Sequence, residues 1–173
     1  MKTVIAIIFA YFVNTRNKKW ISKPIQSQNK TLKKLINSAI NTEFGQKHDF
    51  QNIYSHEQYQ KKVPVRDYEQ LKPYIEKAVE GHKDILWPGK PLYFAKTSGT
   101  TSGAKYIPIT KESIKTHIKS ARDALLNYFV KTKNFTLLKG KQMFLQGSPE
   151  LEKKNGIYPV SYTHLRAHET PIN

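Results

Sequence analysis

Apolar residues at three- and four-residue spacing indicate that the first half of the chain is helical. Residues 31–44 carry one apolar stripe, made of Leu32, Leu35, Ile36, Ala39 and Ile40.

 Gly45 follows this stripe, and we expect it to end the helix as a left-handed C-terminal cap. An earlier apolar run from Val4 to Val13 is followed by the basic residues 14–20 and predicts a buried or docking helix.

Helix starts can be read further along the chain from polar pairs. In a capping box, two residues three positions apart each bind the backbone N–H of the other with a side chain. This spacing occurs twice, at Ser55 with Gln58 and at Asp67 with Gln70. The first pair predicts a short helix that ends before residue 63. The second predicts a helix over residues 68–80, with a break at Pro73 and an end at Gly81.

The pattern changes after residue 87, where a turn-rich stretch leads into apolar segments of strand length. Residues 92–96, 105–109 and 141–146 are expected to be strands. Thr110 is placed to cap a long helix after the second of them. Helices followed by strands mixed with helices predict an α/β fold, with a helical lead-in before a strand–loop–strand unit and a helix.

The long helix is expected to have two distinct faces. Its apolar face comprises Ile114, Ile118, Ala121, Leu125 and Phe129. The other face carries a basic stripe, which we expect to be solvated, made of Lys111, Lys115, Lys119 and Arg122. Contact between this stripe and RNA is the alternative interpretation.

The candidate chemistry lies in the loop between the first two predicted strands. Its residues are Thr97, Ser98, Gly99, Thr100, Thr101, Ser102, Gly103, Ala104 and Lys105. Glycines let backbone N–H groups approach an anion, hydroxyl groups donate hydrogen bonds to phosphate oxygens, and a lysine adds positive charge. The combination favours a polyphosphate ligand. The alternative is a flexible loop that binds nothing.

The loop does not have the Walker A arrangement. That motif places four residues between its glycines and continues with Gly-Lys-Ser/Thr into a helix. Here three residues separate Gly99 from Gly103, Lys105 follows Ala104, and a strand is expected next. A different class of phosphate-binding loop is therefore indicated.

Composition is ordinary apart from charge. The chain has 173 residues and a formal net charge of +16, from 29 Lys and Arg against 13 Asp and Glu. Residues 1–66 carry about +9 and residues 67–157 about +7, so the bases form no separate arm. A Lys-rich solvated surface accounts for this distribution, and a small basic nucleic-acid-binding module is the alternative.

Two features bear on location. The chain has no cysteine, which excludes disulfides and thiolate metal sites and fits the cytoplasm. The apolar run from Val4 to Val13 faintly resembles a signal peptide, but it lacks a cleavage pattern, and it is shorter than the roughly 20 residues that span a bilayer. We therefore expect a cytoplasmic protein without a membrane partner.

Three segments together resemble a known family. FAKTSGTTSGAKYIPIT is similar to the nucleotide loop of the adenylate-forming superfamily. VPVRDYEQLKPYIEKAVEG and MFLQGSPELEKKNGI extend the similarity to the auxin-responsive promoter family of acyl acid–amido synthetases, in its bacterial branch. The resemblance covers about residues 15–157. It implies that the fold is the N-terminal portion of an adenylate-forming, acyl-CoA synthetase-like large domain, present here incompletely.

The resemblance also implies a function. Family members use Mg-ATP to adenylate a carboxylic acid and transfer the acyl group to the amine of an amino acid. ATP and Mg²⁺ would then be the cofactors, and a small-molecule acid and an amino acid the partners, with no nucleic acid. By resemblance, residues 97–103 and Lys105 would hold the phosphates. No residue is assigned as a catalytic acid or base or as a metal ligand, and the oligomeric state is left open.

The family comparison also bears on chain length. Members of the family are far longer, so the chain is expected to be an inactive N-terminal fragment, native over residues 1–157. Residues 158–173 show neither helical nor strand periodicity and resemble a read-through artefact, so we expect a non-native tail. An acyl- or aryl-CoA ligase of the same superfamily is the nearest enzymatic alternative.

Four histidines outside that tail carry no recognisable pattern. His48, His56, His82 and His117 lie in polar surroundings and are expected at the surface or at helix ends rather than in catalysis. Tyr93, on the strand before the loop, is expected to pack in the core with its neighbour Phe94. These residues therefore add no second candidate site.

Overall fold

The described part of the chain is rich in helix. The structure is a computed structural model that describes residues 2–97, 105–135, 142–146, 158–161 and 166–170. Its helices are α1 (Lys2–Ile21), α2 (Pro24–Ala39), α3 (Glu43–Lys47), α4 (His56–Lys62), α5 (Tyr68–Val79) and α6 (Lys111–Thr132), with a 3₁₀ turn at Phe50–Asn52.

Short strands form two small sheets. The strands are β1 (Tyr93–Thr97), β2 (Lys105–Ile109), β3 (Gln142–Gln146), β4 (Tyr158–Ser161) and β5 (Arg166–Thr170). In the first sheet β1 lies between β2, which is antiparallel to it, and β4, which is parallel. The second sheet pairs β3 with β5 antiparallel. Helices combined with a small sheet are consistent with part of an α/β domain.

The strands at the end of the chain differ from the sequence expectation. Residues 158–173 were expected to lack strand structure, yet β4 and β5 both lie there. Their backbones pair with β1 and β3, so neighbouring strands rather than an alternating local pattern specify them. The boundary at residue 157 and the non-native origin of the tail stay predictions.

Helices α1 and α6 pack against each other and bury one apolar cluster. Ala10 and Val13 of α1 meet Leu126 and Phe129 of α6, and all four are at least nine-tenths buried. The predicted helix at Val4 to Val13 is confirmed, although only a narrow stripe of it is buried. In the described residues, no helix is both long enough and apolar enough to cross a membrane.

The face of α6 that is buried differs from the predicted apolar face. Phe129 is buried as expected, but Ile118 and Leu125 are exposed and Leu126 is buried in their place. The buried line also includes Asp123, which no apolar pattern can reveal. The position of α1 decides which face of α6 is buried. An apolar stripe on a single helix indicates which face favours burial, but not which partner helix covers it.

The junction of α2 and α3 corrects the expected helix over residues 31–44. Helix α2 ends at Ala39, and Thr42 begins α3 by accepting a hydrogen bond from Gly45 N–H at 3.0 Å. Gly45 therefore lies inside α3 and is not a left-handed cap. Its role is spatial, since a Cβ on Gly45 would lie 2.0 Å from the Ala39 carbonyl oxygen.

A second apolar cluster surrounds this junction. Ile36 and Ala39 of α2 pack with Phe50 and Ile53, which lie in and after the 3₁₀ turn. His48 is buried beside them, with its ring stacked on Phe44 at 4.1 Å between centroids and its Nδ1 2.7 Å from the Phe44 carbonyl oxygen. His48 lies at a helix end, one of the two places expected for it, but its surroundings are apolar and buried rather than polar.

Both predicted capping boxes are present. Ser55 with Gln58 begins α4, and Asp67 with Gln70 begins α5. The end of α5 is also confirmed, because Gly81 has φ of 94° and its N–H and that of His82 donate to carbonyls in the last turn.

Pro73 does not break α5, contrary to expectation. The helix continues through it from Tyr68 to Val79. Pro73 is exposed, so water can solvate the carbonyl oxygen that proline leaves without a helical donor. Tyr74, Ile75 and Ala78 are buried on the other side of the helix and hold it in place.

Candidate functional site

The candidate site lies at the end of the β1–β2 hairpin. Thr97 is the last residue of β1 and Lys105 the first of β2, and the two are directly opposite each other in the strand register. Residues directly opposite in an antiparallel pair project to the same face of the sheet. The structure thus brings together the two ends of the predicted phosphate loop.

The loop itself lies outside the described residues. This applies to six of the eight predicted site residues, namely Ser98, Gly99, Thr100, Thr101, Ser102 and Gly103. Thr97 and Lys105 are the two predicted site residues that the structure places. Both are partly buried, and the strands on which they lie have the bounds that the sequence predicted to within one residue.

Packing beneath the hairpin fixes its position. Phe94 of β1 is 1% exposed and packs with Ala78 of α5 and Tyr106 of β2. The rings of Phe94 and Tyr106 meet edge to face with 6.3 Å between centroids. The core role expected for Phe94 is therefore observed, and this contact holds the hairpin against α5.

Tyr68 is a residue of this site that sequence reasoning missed. Its hydroxyl oxygen accepts a hydrogen bond from Tyr106 N–H at 2.8 Å, and its ring lies 5.2 Å from Lys105 Nζ. The chain separates Tyr68 and Tyr106 by 38 positions, so no local pattern connects them. The one sequence feature that could have pointed to Tyr68 is its place directly after the helix cap Asp67.

Lys105 keeps its charge available. Among the described residues, no carboxylate forms an ion pair with Lys105. An ammonium group that lies over an aromatic ring can still approach an anion. The described end of the hairpin therefore offers one lysine and one threonine hydroxyl, which suit phosphate oxygens.

One cavity lies away from the hairpin. A cavity of about 400 Å³ is lined by α2 and the start of α4, including Leu32, Ile36 and His56, and it does not include the hairpin. Its position gives it no part in the loop chemistry. Within the described ranges, no group of three or more His, Cys, Asp or Glu residues could hold a metal ion.

Comparison with known proteins decides the family. The sequence profile of the GH3 family N-terminal domain matches residues 15–169, which include the hairpin and its loop. The chain belongs to the GH3 family. This confirms the resemblance to auxin-responsive acyl acid–amido synthetases, while placement in a bacterial branch stays a prediction.

Relatives of this GH3 chain are synthetases by name. It is 27% identical over 139 residues to jasmonoyl–L-amino acid synthetase GH3.5 of Oryza sativa subsp. japonica, covering 79% of this chain and 23% of that protein. It is 24% identical to jasmonoyl–L-amino acid synthetase JAR4 of Nicotiana attenuata, covering 75% and 22%.

A third relative belongs to a differently named group. The chain is 33% identical over 104 residues to the probable indole-3-acetic acid-amido synthetase GH3.13 of Oryza sativa subsp. japonica, covering 57% of this chain and 21% of that protein. The chain thus spans less than a quarter of the length of these curated relatives. The GH3 relatives as a group support a ligase family that joins carboxylic acids to amino acids.

Proposed function

We propose that this GH3 chain supplies the phosphate-binding loop of an ATP-dependent acyl acid–amido synthetase. The observation that carries the proposal is the register of Thr97 opposite Lys105 across the hairpin. This register brings both ends of a loop rich in serine, threonine and glycine to one place. Membership of the GH3 family supports the same function.

The donor chemistry of the hairpin fits ATP. Lys105 supplies a positive charge and Thr97 a hydroxyl donor, and the loop sequence between them adds further hydroxyl groups and two glycines. ATP, when bound, would supply the adenylyl group whose transfer to the carboxylate, with release of pyrophosphate, activates the acid for attack by an amine. Mg²⁺ would bind together with ATP, because phosphate oxygens coordinate this ion and few protein ligands are then needed.

The substrates we propose follow from the names of the relatives. Jasmonate and indole-3-acetate are both small carboxylic acids. One kind of relative is named a jasmonoyl–L-amino acid synthetase and the other an indole-3-acetic acid-amido synthetase. We therefore propose a small carboxylic acid and an amino acid as substrates, in the cytoplasm. The 173-residue chain alone is proposed to be inactive, because one loop is only part of a composite site.

A first test establishes how long the reading frame is. Sequencing the source DNA across the codons for Gly156 to Asn173, from an independent library, should show the reading frame continuing into several hundred more codons. A confirmed stop after Asn173 would contradict the fragment proposal.

ATP–pyrophosphate exchange tests the adenylation step. The full-length protein should exchange pyrophosphate in the presence of a carboxylic acid, and the double variant Lys105→Ala with Ser98→Ala should lose about 100-fold or more of the rate, as when preorganised donors to a reacting oxyanion are removed. Lys111→Ala, at an exposed position just beyond β2, is the matched control and should keep the rate. Exchange that is unaffected by the double variant would contradict the role of the loop.

The acceptor distinguishes the two enzymatic functions. With an acid that supports exchange, an amino acid should give an amide product, detected by mass spectrometry. Formation of a thioester with coenzyme A, without amide formation, would instead identify an acyl-CoA ligase.

A further inference from the structure

We propose that Tyr68 is a positioning residue that holds the Lys105 ammonium group at the end of the phosphate loop. The role in ATP binding rests on the proposed function above, whereas the contact between the two side chains does not. Two separate parts of Tyr68 contribute, its hydroxyl group and its ring.

The hydroxyl group fixes the backbone of β2. Tyr68 Oη accepts the hydrogen bond of Tyr106 N–H at 2.8 Å, one residue beyond Lys105. A partly buried backbone N–H is costly to leave without a partner, so this bond restrains the start of the strand. The Cα of Lys105 is therefore held at a defined place relative to α5.

The ring restrains the side chain of Lys105. Lys105 Nζ lies 5.2 Å from the centroid of the Tyr68 ring, within the range of cation–π attraction. A lysine side chain otherwise samples many rotamers, and restricting them before an anion arrives lowers the entropy lost on binding. The ring can thus place the charge without neutralising it.

Helix α5 gives Tyr68 its own fixed position. Tyr68 is the first residue of the helix, directly after the Asp67 cap. Asp67 accepts from Gln70 N–H at 2.9 Å, and the Gln70 side chain accepts from Asp67 N–H at 3.0 Å. The same helix packs on β1 through Ala78 and Phe94. The capping box therefore orients the residue that contacts the loop lysine.

Lysine labelling tests this contact without any nucleotide. In the full-length protein, the rate at which an amine-reactive ester acetylates Lys105 is measured by mass spectrometry, with exposed Lys111 as an internal reference. Tyr68→Leu removes ring and hydroxyl and should raise the Lys105 rate about two- to five-fold, the range that a cation–π contact at an exposed site contributes. Tyr68→Phe keeps the ring but leaves Tyr106 N–H without its partner, so it should raise the rate by less than Tyr68→Leu does.

A control and a second measurement cover loss of folding. Tyr54→Leu, at a position that is 73% exposed, should leave the Lys105 rate unchanged. If Tyr68→Leu unfolds, NMR of the wild type with ¹³C-dimethylated lysines decides instead. The signal of Lys105, assigned by its absence in Lys105→Arg, should lie upfield of the signal of exposed Lys111 because of the ring current of Tyr68.

The outcomes separate the two proposals. Faster labelling in Tyr68→Leu than in Tyr68→Phe, with ATP affinity weakened about two- to five-fold in Tyr68→Leu, supports both. Equal labelling in all three proteins, or an unshifted Lys105 signal, overturns the positioning role. A wild type that does not bind ATP, with labelling still dependent on the Tyr68 ring, supports the contact and overturns the proposed function.

Discussion

Asp123 is the most heavily bonded carboxylate in the described part of the chain, and its surroundings define what α1 contributes. It lies on α6 with its side chain 10% exposed. It accepts hydrogen bonds from Lys119 at 2.9 Å, from Arg122 at 2.8 Å and from Asn17 of α1 at 3.2 Å. Arg16 of α1 is 3.7 Å away. This cluster therefore joins the two helices beside their apolar contact.

The basic stripe on α6 is exposed, as expected, and two of its residues also bind this carboxylate. Lys119 and Arg122 are about half exposed, and both form ion pairs with Asp123. Burial by itself would raise the pKa of Asp123, yet the hydrogen bonds from Lys119, Arg122 and Asn17 outweigh it and lower the pKa to about 2, from an ordinary value of 3.8. The charged form is thus the one that the folded state favours.

We predict that acid weakens the contact of α1 with α6. A pKa that is lowered on folding gives stability that is full above the unfolded value near 3.8 and is lost as the pH falls towards about 2. The contribution is at most about 2 kcal/mol, because the partner cations are half exposed and solvent screens them. Hydrogen exchange of α1 amides, measured between pH 5 and 2, should show the loss of protection.

The variant Asp123→Asn should reproduce that loss at neutral pH. It should raise exchange in α1 and leave little further change between pH 5 and 2. Glu76→Gln, at an exposed position on α5, is the matched control and should behave as wild type. A steep acid dependence that survives in Asp123→Asn would contradict the assignment to this carboxylate.

At the scale of elements, the turn between α2 and α3 depends on close backbone contact. The Thr42 hydroxyl donates to the Ala39 carbonyl at 2.7 Å and accepts from Gly45 N–H. Thr42 is 1% exposed, so this reversal of chain direction is buried. The buried hydroxyl and the absence of a Cβ at Gly45 together allow two helices to meet there.

We predict that Gly45→Ala is strongly destabilising. The added Cβ would lie 2.0 Å from the Ala39 carbonyl oxygen, so backbone must move, at a cost of about 2–3 kcal/mol or more. Gly89→Ala is the matched control, because its φ of 77° carries strain of about 1–2 kcal/mol while no atom lies within 4 Å of the new Cβ. Thermal unfolding should rank Gly45→Ala as the worse, and the reverse order would contradict the clash.

Across the whole molecule, α1 combines a buried stripe with a broad apolar surface. Its exposed apolar residues include Val4, Ile5, Ile8 and Phe12, each about three-fifths exposed. Within residues 4–21 of this helix, only Ala10, Val13 and Asn17 are buried. Contiguous apolar surface of this kind favours association, even in a chain with a net charge of +16.

We predict that the 173-residue chain associates with itself and binds the dye ANS. The double variant Ile8→Gln with Phe12→Gln should reduce both, because it changes exposed residues alone. Val13→Gln, which puts a polar group into the α1–α6 cluster, should instead increase dye binding. Sedimentation that shows a monomer, together with a cooperative thermal transition, would contradict the prediction.

The sequence by itself determined the parts of this protein that depend on local chemistry. The capping boxes at Ser55 and Asp67, the helix end at Gly81 and the bounds of β2 were all predictable, because each rests on hydrogen bonds or patterns within a few residues. The loop motif at residues 97–105 and its context likewise indicated the family, whereas the phosphate ligand that its composition indicates stays a prediction.

Tertiary structure decided the rest, because the partners are distant in the chain. The burial of Asp123 depends on α1, the contact of Tyr68 with Lys105 depends on how α5 lies beside β2, and the role of Gly45 depends on where α2 ends. A local pattern indicates which face of an element favours burial, but packing against other elements decides which residues are buried. Contacts between remote segments therefore fixed both the helix pair and the surroundings of the loop lysine.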